Sequence, residues 1–269
     1  MKCILNFSLF LLISTLFCAC QKVINVKLNP GATEYVIEGI ITDQPGYCTV
    51  SISQTKDFSA DNSFVGISGA TVSVENNGVV TSLSETGNGT GIYQTNAING
   101  QPGQTYNLKV SLNGVVYTAA STMPQPVALD SIYAAKQALD TNRYIMVVYK
   151  DPPAVKNYYQ WVQYVNGHKE QTVFIADDEF NDGLTINNLL NFSNDTKDPL
   201  RYIEIGDNVK IDQFCVDSAA YKYLSSLQQS ASGSGNSASP ANPVSNIQGG
   251  CLGYFSAQTV RSKSLTINL

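Results

Sequence analysis

The chain has 269 residues and a formal net charge of −5, and only 14% of its residues are charged. This acidic balance argues against nucleic acid or an anionic membrane surface as the main partner, because both repel a negatively charged protein. Glycine and tyrosine are plentiful, at 20 and 15 residues. Such a composition is typical of short strands joined by many turns.

Residues 1–19 are predicted to be a lipoprotein signal peptide. Lys2 provides the basic start, and the apolar run at 4–17 is too short to span a membrane. Leu16-Phe17-Cys18-Ala19-Cys20 follows, with a small residue before the last cysteine, as lipoprotein processing requires. Cys20 would become the first mature residue and carry lipid, including palmitate. The alternative is an ordinary secretory signal with two incidental cysteines.

Residues 20–33 are predicted to be a tether, and residues 34–123 an N-terminal antiparallel β-sandwich. Asn77-Gly78 and Asn113-Gly114 are hairpin signals between alternating apolar segments. Seven short strands at this spacing favour a sandwich. The predicted strands are 35–41, 48–53, 70–74, 79–83, 91–93, 105–112 and 115–121.

Residues 124–128 are predicted to be a linker, because Pro124 and Pro126 fix the backbone and remove hydrogen-bond donors. A second β-rich domain is expected at 129–269. It contains one short helix at 217–229, which Asp217 can cap, and a Ser/Gly/Pro-rich loop at 230–250. The strands predicted in this second domain are 144–149, 158–165, 171–176, 201–205, 209–216, 254–260 and 265–269. The expected fold class is mostly β.

Six segments, in order along the chain, carry a family resemblance. They are residues 35–43 (YVIEGIITD), 67–72 (ISGATV), 130–133 (DSIY), 221–224 (YKYL), 245–247 (SNI) and 249–257 (GGCLGYFSA). Together they resemble the Bacteroidota lipoproteins known as domain of unknown function 4249. The resemblance implies an outer-membrane lipoprotein, often produced beside TonB-dependent transporters, and it carries over no catalytic residue. The first half also resembles the small transthyretin-like or carboxypeptidase-regulatory-like sandwiches, so an Ig-like or transthyretin-like sandwich is expected there.

Catalytic chemistry has few candidates in this sequence. His168 is the only histidine, and a Ser-His-Asp or Cys-His set would have to use it. It lies beside Asn166-Gly167, a predicted hairpin turn, so we interpret it as an exposed turn residue. We therefore expect a non-enzymatic protein without catalytic residues and without a cofactor.

Two segments suggest binding chemistry. The acidic run from Asp177 to Asp182 offers oxygen ligands suited to Ca²⁺, but it lacks the order of an EF-hand. A solvated loop without metal is the expectation, and cation binding stays open. The segment 158–164 contains three tyrosines and Trp161, which could form a sugar-stacking platform. Its apolar strand setting favours core packing instead.

Modification sites are predicted at two serines and two cysteines. Ser131 and Ser218 follow aspartates in the Asp-Ser-apolar pattern of Bacteroidota O-glycosylation, although Ser218 could simply begin the helix. Cys215 and Cys251 are predicted to form a disulfide, which an exported protein permits. Cys48 alternates with apolar residues and is expected to be a buried free thiol.

These observations predict a lipoprotein anchored in the outer membrane, with either a periplasmic or a cell-surface face. Its expected role is that of a non-enzymatic accessory or partner of a TonB-dependent transporter. A glycan- or nutrient-binding lipoprotein is the alternative, and it requires exposed aromatic residues.

Overall fold

The computed structural model of the protein describes residues 33–46, 48–56, 64–136, 142–191, 203–231 and 242–268. Thr33–Leu269 forms one compact unit. The predicted signal peptide, Cys20 and the predicted tether up to residue 32 lie outside the described residues. No helix within those ranges combines the length and the apolar character needed to cross a membrane.

The described residues form fifteen strands and one short helix, which confirms the predicted mostly β fold. The elements are β1 (Tyr35–Thr42), β2 (Cys48–Gln54), β3 (Thr71–Asn76), β4 (Val79–Glu85), β5 (Ile92–Thr95), β6 (Thr105–Leu112), β7 (Val115–Thr122), β8 (Leu129–Lys136), β9 (Arg143–Lys150), β10 (Tyr158–Val165), β11 (His168–Lys169), β12 (Phe174–Asp177), β13 (Thr185–Leu190), β14 (Asn208–Cys215), α1 (Ser218–Ala231) and β15 (Leu252–Thr266).

The first core lies between strands of the N-terminal half, which pair in the order β1-β2-β5-β4-β3-β6-β7. Ile37 and Ile41 on β1 and Val50 and Ile52 on β2 alternate inward and are fully buried, as the alternation of the sequence predicts. Both residues of the Asn113-Gly114 turn have positive φ. This is the type I′ conformation that a two-residue hairpin favours.

The second core lies between the sheet β13-β9-β8 and strands β10, β12 and β14. The strand β13 was not predicted from the sequence. The strand predicted at 201–205 is wrong for its described part, because residues 203–205 lie outside any strand and Asp207 Oδ2 accepts the Glu204 backbone N–H at 2.8 Å. The strand predicted at 171–176 begins at Phe174, because Glu170 Oε1 accepts the backbone N–H groups of residues 171 and 172 and holds them in a turn.

The last strand, β15, is one continuous element where two strands at 254–260 and 265–269 were predicted. Its first half pairs with β1 in parallel, and its second half pairs with β14 in antiparallel orientation. The polar residues 261–264, between the two predicted strands, remain part of β15 because side chains among them are bonded to neighbouring segments. Arg261 Nη1 lies 2.6 Å from Asp43 Oδ2, and Ser262 Oγ donates to Asp212 Oδ1 at 2.5 Å.

The helix α1 begins where the sequence predicts, and Asp217 caps it. Asp217 Oδ1 accepts the Ala220 N–H at 2.8 Å, while its Oδ2 accepts the Ser121 hydroxyl at 2.5 Å. Tyr223 stacks on Tyr254 of β15 with ring centroids 4.6 Å apart. The helix is therefore fixed to the sheet both by its first turn and by its apolar face.

Residues 123–128 are in direct contact with the rest of the fold. Met123 is buried in the first core and Val127 in the second. The Val127 N–H donates to Cys215 Sγ at 3.4 Å, and Gln213 Nε2 donates to the Val127 carbonyl at 3.0 Å. The proline-containing segment is thus held by β14 on the side of the second core.

The predicted disulfide between Cys215 and Cys251 is wrong in this structure, which has both as buried free thiols, together with Cys48. Cys215 is the strand partner of Thr259 on β15. Cys251 precedes Thr259 by eight positions in the sequence, which is about 26 Å along an extended chain. A disulfide requires Cα atoms less than about 7 Å apart. The prediction of a buried free thiol at Cys48 is confirmed.

Thiol labelling checks the cysteines. Burial raises the pKa of Cys48 to about 12 and that of Cys251 to about 11, and the reactive species is the thiolate. We expect the three buried thiols of Cys48, Cys215 and Cys251 to resist maleimide in the folded, lipidated protein. All three should react after unfolding without reductant, as counted by intact mass against a reduced control. A single reactive thiol would contradict the structure and support a bridge.

Gly253 is expected to be essential to the pairing of β1 with β15. Its φ is 97°, and a Cβ added there would lie 1.9 Å from the Ile37 carbonyl oxygen. Gly253→Ala should cost about 3 kcal/mol or more in urea unfolding, because backbone must move. Gly114→Ala is the matched control, since its φ is +81° and nothing lies within 4 Å. It should cost about 1 kcal/mol from the backbone conformation alone, and equal losses for the two variants would contradict a steric role for Gly253.

Candidate functional site

The candidate site lies where two loops meet beside the second core. The first loop, 151–157, joins β9 to β10, and it starts with Asp151-Pro152-Pro153, which ends the strand because proline lacks an N–H donor. The second loop, 178–184, joins β12 to β13. The two loops are bonded to each other, because the Asp151 N–H donates to the Leu184 carbonyl at 2.9 Å. We refer to them as loop A (151–157) and loop B (178–184).

Three carboxylates converge between loop A and loop B. One oxygen from each of Asp151, Asp178 and Asp182 lies within 4.8 Å of the other two. Asp151 is 0% exposed and Asp178 is 3% exposed, whereas Asp182 is exposed to solvent. Carboxylates are seldom fully buried without partners, because removing a charge from water is costly. The partners of these three groups therefore matter.

Each carboxylate is bonded across the two loops. Asp151 Oδ1 accepts the Tyr159 hydroxyl, and its Oδ2 accepts the Gly183 N–H at 3.2 Å. Asp182 Oδ1 in turn accepts the Ala154 N–H at 2.8 Å. Burial raises the pKa of Tyr159, and the adjacent Asp151 carboxylate adds to this effect. The hydroxyl therefore stays protonated and keeps donating.

Asp178 connects loop B to the start of β10. Its Oδ2 accepts the Asn157 N–H at 2.7 Å, and its Oδ1 lies 2.6 Å from the ammonium of Lys156. The hydrogen bond from Lys156 to Asp178 raises the pKa of the lysine. The Lys156 side chain is half exposed, so this ion pair is accessible to water on one side.

The acidic run from Asp177 to Asp182, predicted to be a solvated loop, has some side chains in the carboxylate cluster and others exposed to solvent. Asp178 and Asp182 turn toward Asp151, while Glu179 is exposed. Asp177 Oδ1 accepts the Glu179 N–H at 3.2 Å and so stabilises the turn itself. Asp151 was missed because it lies 26 positions before Asp177 in the sequence. Its only signal was an aspartate between a buried strand and two prolines.

The two loops also expose large apolar side chains. Phe180 at the turn of loop B is 86% exposed, and Val155 and Leu184 are more than half exposed. All three belong to loops fixed by the carboxylate bonds. We call Val155, Phe180 and Leu184 the loop tip.

The sugar-stacking platform, the alternative to core packing for residues 158–164, is not an exposed surface at Tyr159 and Trp161. Trp161 is 1% exposed and Tyr159 is fully buried, so both belong to the core. Trp161 Nε1 donates to Gln213 Oε1 at 3.1 Å, and its ring lies 5.6 Å from that of Tyr149. The prediction of core packing is confirmed for these two residues.

A groove of about 740 Å³ runs between α1 and the strands β10 and β12. The Tyr158 and Tyr221 rings lie in it, 4.9 Å apart, and Lys156 Nζ is 5.8 Å from the Tyr158 ring centroid. Both tyrosines are half-buried. The aromatic surface of this region is therefore the pair Tyr158 and Tyr221, which the strand pattern alone could not bring together.

The remaining predicted residues are separated from one another. His168 is exposed on β11, next to a turn with positive φ at Asn166 and Gly167. Ser131 is exposed on β8, and Ser218 is exposed at the first position of α1, in the groove. Both serines are accessible, and their glycosylation stays a prediction.

The Tyr159 hydroxyl is expected to stabilise the buried Asp151 carboxylate. Tyr159→Phe removes one donor to a charged group, so it should lower the free energy of unfolding by about 1.5–3 kcal/mol. Urea unfolding checks this value. Tyr133→Phe, on the exposed part of β8, is the control and should change stability by less than about 0.5 kcal/mol. A Tyr159→Phe chain as stable as that control would show that Asp151 does not need this bond.

Comparison with known proteins gives one family and no curated relative. A family profile described as a domain of unknown function, DUF4249, matches residues 21–264. No curated protein matches significantly. The match covers nearly the whole chain and includes both loops of the carboxylate cluster. The chain therefore belongs to the family of the domain of unknown function DUF4249.

Proposed function

We propose that this protein is a lipid-anchored outer-membrane lipoprotein that acts, without enzymatic activity of its own, as an accessory to a TonB-dependent transporter. The anchor rests on the sequence from Leu16 to Cys20. The family match begins at residue 21, directly after Cys20. A chain that is processed before Cys20 would begin one residue before this match.

The observation that carries a partner-binding role is the loop tip. A Phe180 ring that is 86% exposed gains nothing from folding, because only the burial of apolar surface is favourable. Val155 and Leu184 are exposed on the same two bonded loops. Exposed apolar groups on a fixed scaffold suit association, because little ordering entropy is lost when a partner covers them.

Charge favours a protein over a lipid surface as the occupant of the loop tip. Glu179 and Asp182 are exposed beside Phe180, and the chain is acidic overall. Anionic lipid headgroups would be repelled by such a rim. An apolar pocket with basic side chains around it, on a loop of an outer-membrane transporter, fits both the apolar and the acidic groups.

Site-specific photocrosslinking in cells tests this proposal. A photoreactive residue at Phe180 should crosslink to an outer-membrane β-barrel transporter identified by mass spectrometry. The matched control is a photoreactive residue at Val79, which is 66% exposed at the start of β4 in the N-terminal half. The control position should give little of this product, because it lies outside the two loops.

Two further arms make the outcome decisive. The chain with Cys20→Ser should leave the membrane fraction and lose the Phe180 crosslink, since it lacks the acylated residue. Crosslinks of equal yield from Phe180 and Val79 would refute the loop tip as the contact. A Phe180 position that captures no β-barrel in the anchored protein would refute the accessory role.

A further inference from the structure

The carboxylate cluster carries more negative charge than its protein partners balance. Asp151, Asp178 and Asp182 bring three acidic groups together. Among the ion pairs of the described residues, Lys156 is the only cation paired with any of them. Neutral donors from Tyr159 and three backbone N–H groups supply the rest. A site with two buried carboxylates and one half-exposed ammonium favours an added cation.

Asn157 provides a second and independent observation. It is 5% exposed, and its Oδ1 is buried and accepts no hydrogen bond from the described residues. A buried carbonyl oxygen without a donor costs free energy comparable to a lost hydrogen bond. A cation next to this oxygen would remove that cost.

The strand register directs Asn157 toward the carboxylates. Tyr158 pairs with Asp177 and Tyr159 with Ala176, where the ladder ends. Continued by one residue, this register would set Asn157 opposite Asp178, whose Oδ2 accepts the Asn157 N–H at 2.7 Å. Directly opposed residues in antiparallel strands project to the same face, with Cβ atoms about 5 Å apart. Asn157 lies two positions before the buried Tyr159, and residues two apart in an extended chain share a face. The Tyr159 hydroxyl on that face donates to Asp151. The amide therefore faces the side where the carboxylates converge.

We infer that Asp151, Asp178, Asp182 and the side-chain oxygen of Asn157 form a binding site for a divalent cation, with Ca²⁺ as the preferred ion. Oxygens around Ca²⁺ lie about 2.3–2.6 Å from the ion, so two ligands on opposite sides are about 4.8 Å apart. The ligand oxygens of the three aspartates lie within 4.8 Å of one another. Mg²⁺ demands shorter bonds and a near-ideal octahedron, which ligands from two separate loops meet less readily.

Lys156 would be displaced when the ion binds. Its ammonium lies 2.6 Å from Asp178 Oδ1 and occupies one ligand position. The lysine side chain is half exposed, so it can move into water at little cost. The bound ion would add a further bridge between loop A and loop B, beyond the hydrogen bonds that already join them. This inference needs no partner protein, and its test is separate from that of the proposed function.

Calcium titration of the full chain, purified in detergent and freed of metal with EDTA, tests the site. Calorimetry should show heat on addition of CaCl₂. The melting temperature should rise at about 5 mM CaCl₂, because an ion that binds only the folded chain stabilises it. This concentration exceeds the dissociation constants of most extracellular calcium modules. Asp182→Asn should lower the calcium association constant by about tenfold or more, because affinity depends on ligand charge. It should still fold, since an amide oxygen can accept the Ala154 N–H that Asp182 Oδ1 accepts.

Two other variants separate ligation from general charge. Glu179→Gln removes the same charge from an exposed residue outside the cluster, and its calcium affinity should stay within about twofold of the unmodified chain. Asn157→Leu removes the unpaired oxygen, so it should keep the metal-free chain stable and weaken calcium binding.

Four results would overturn the inference. They are the absence of heat and of a melting shift with CaCl₂, an equal shift with NaCl at matched ionic strength, equal losses for Asp182→Asn and Glu179→Gln, and unchanged calcium binding by Asn157→Leu.

Discussion

The two cores of this protein depend on one strand, β15. Its residues 252–258 pair with β1 and its residues 259–266 with β14. The stretch from Gly253 to Thr259 is buried throughout. Phe255 and Ala257 complete the first core, and Ile267, just after the strand, belongs to the second. A parallel pair needs a long connection, and here almost the whole chain lies between the two partners. The N-terminal sandwich is therefore completed only by C-terminal residues.

Polar bonds inside the protein fix the elements around β15. The Ser121 hydroxyl donates to Asp217 and accepts the Ala257 N–H at 2.8 Å, so one side chain joins β7, α1 and β15. Asn246 bonds both the N–H and the carbonyl of Phe255 through its side chain. Hydrogen bonds to charged groups are worth about 1.5–3 kcal/mol. These contacts fix the orientation of α1, and of the segment around Asn246 that precedes β15, relative to the sheet. Apolar packing alone would leave these orientations less defined.

The carboxylate cluster applies the same principle to two loops. Asp151 and Asp178 are buried acceptors that hold backbone donors from both loops. Loops usually move more than strands, but these are bonded to each other and to β10. Because the loops are held in place, the Phe180 side chain stays exposed and does not fold back onto the protein surface. This links the chemistry of the cluster to the proposed contact surface, because the same bonds that hold the carboxylates also hold the loops that carry the loop tip.

The sequence by itself determined the local features of this fold. Local sequence patterns predicted the strands β6 and β10 with their observed bounds, and Asn-Gly pairs predicted the turns that follow them. Asp217 gave the start of the helix. Each of these depends on residues a few positions apart, whose physics is visible in a short window. The resemblance of six short segments also identified the family, because their order extends over the whole chain.

Only the tertiary structure decided what depends on distant residues. The continuity of β15 follows from the partners of Arg261 and Ser262, which are Asp43 just after β1 and Asp212 on β14. The thiols of Cys215 and Cys251 are separate because β15 extends between their positions. Asp151 meets Asp178 and Asp182 only because β9, β10, β12 and β13 end at one edge of the second core. Side chains brought together from separate strands leave no periodic signal in the sequence, so pairing between strands, and not local pattern, created the candidate site.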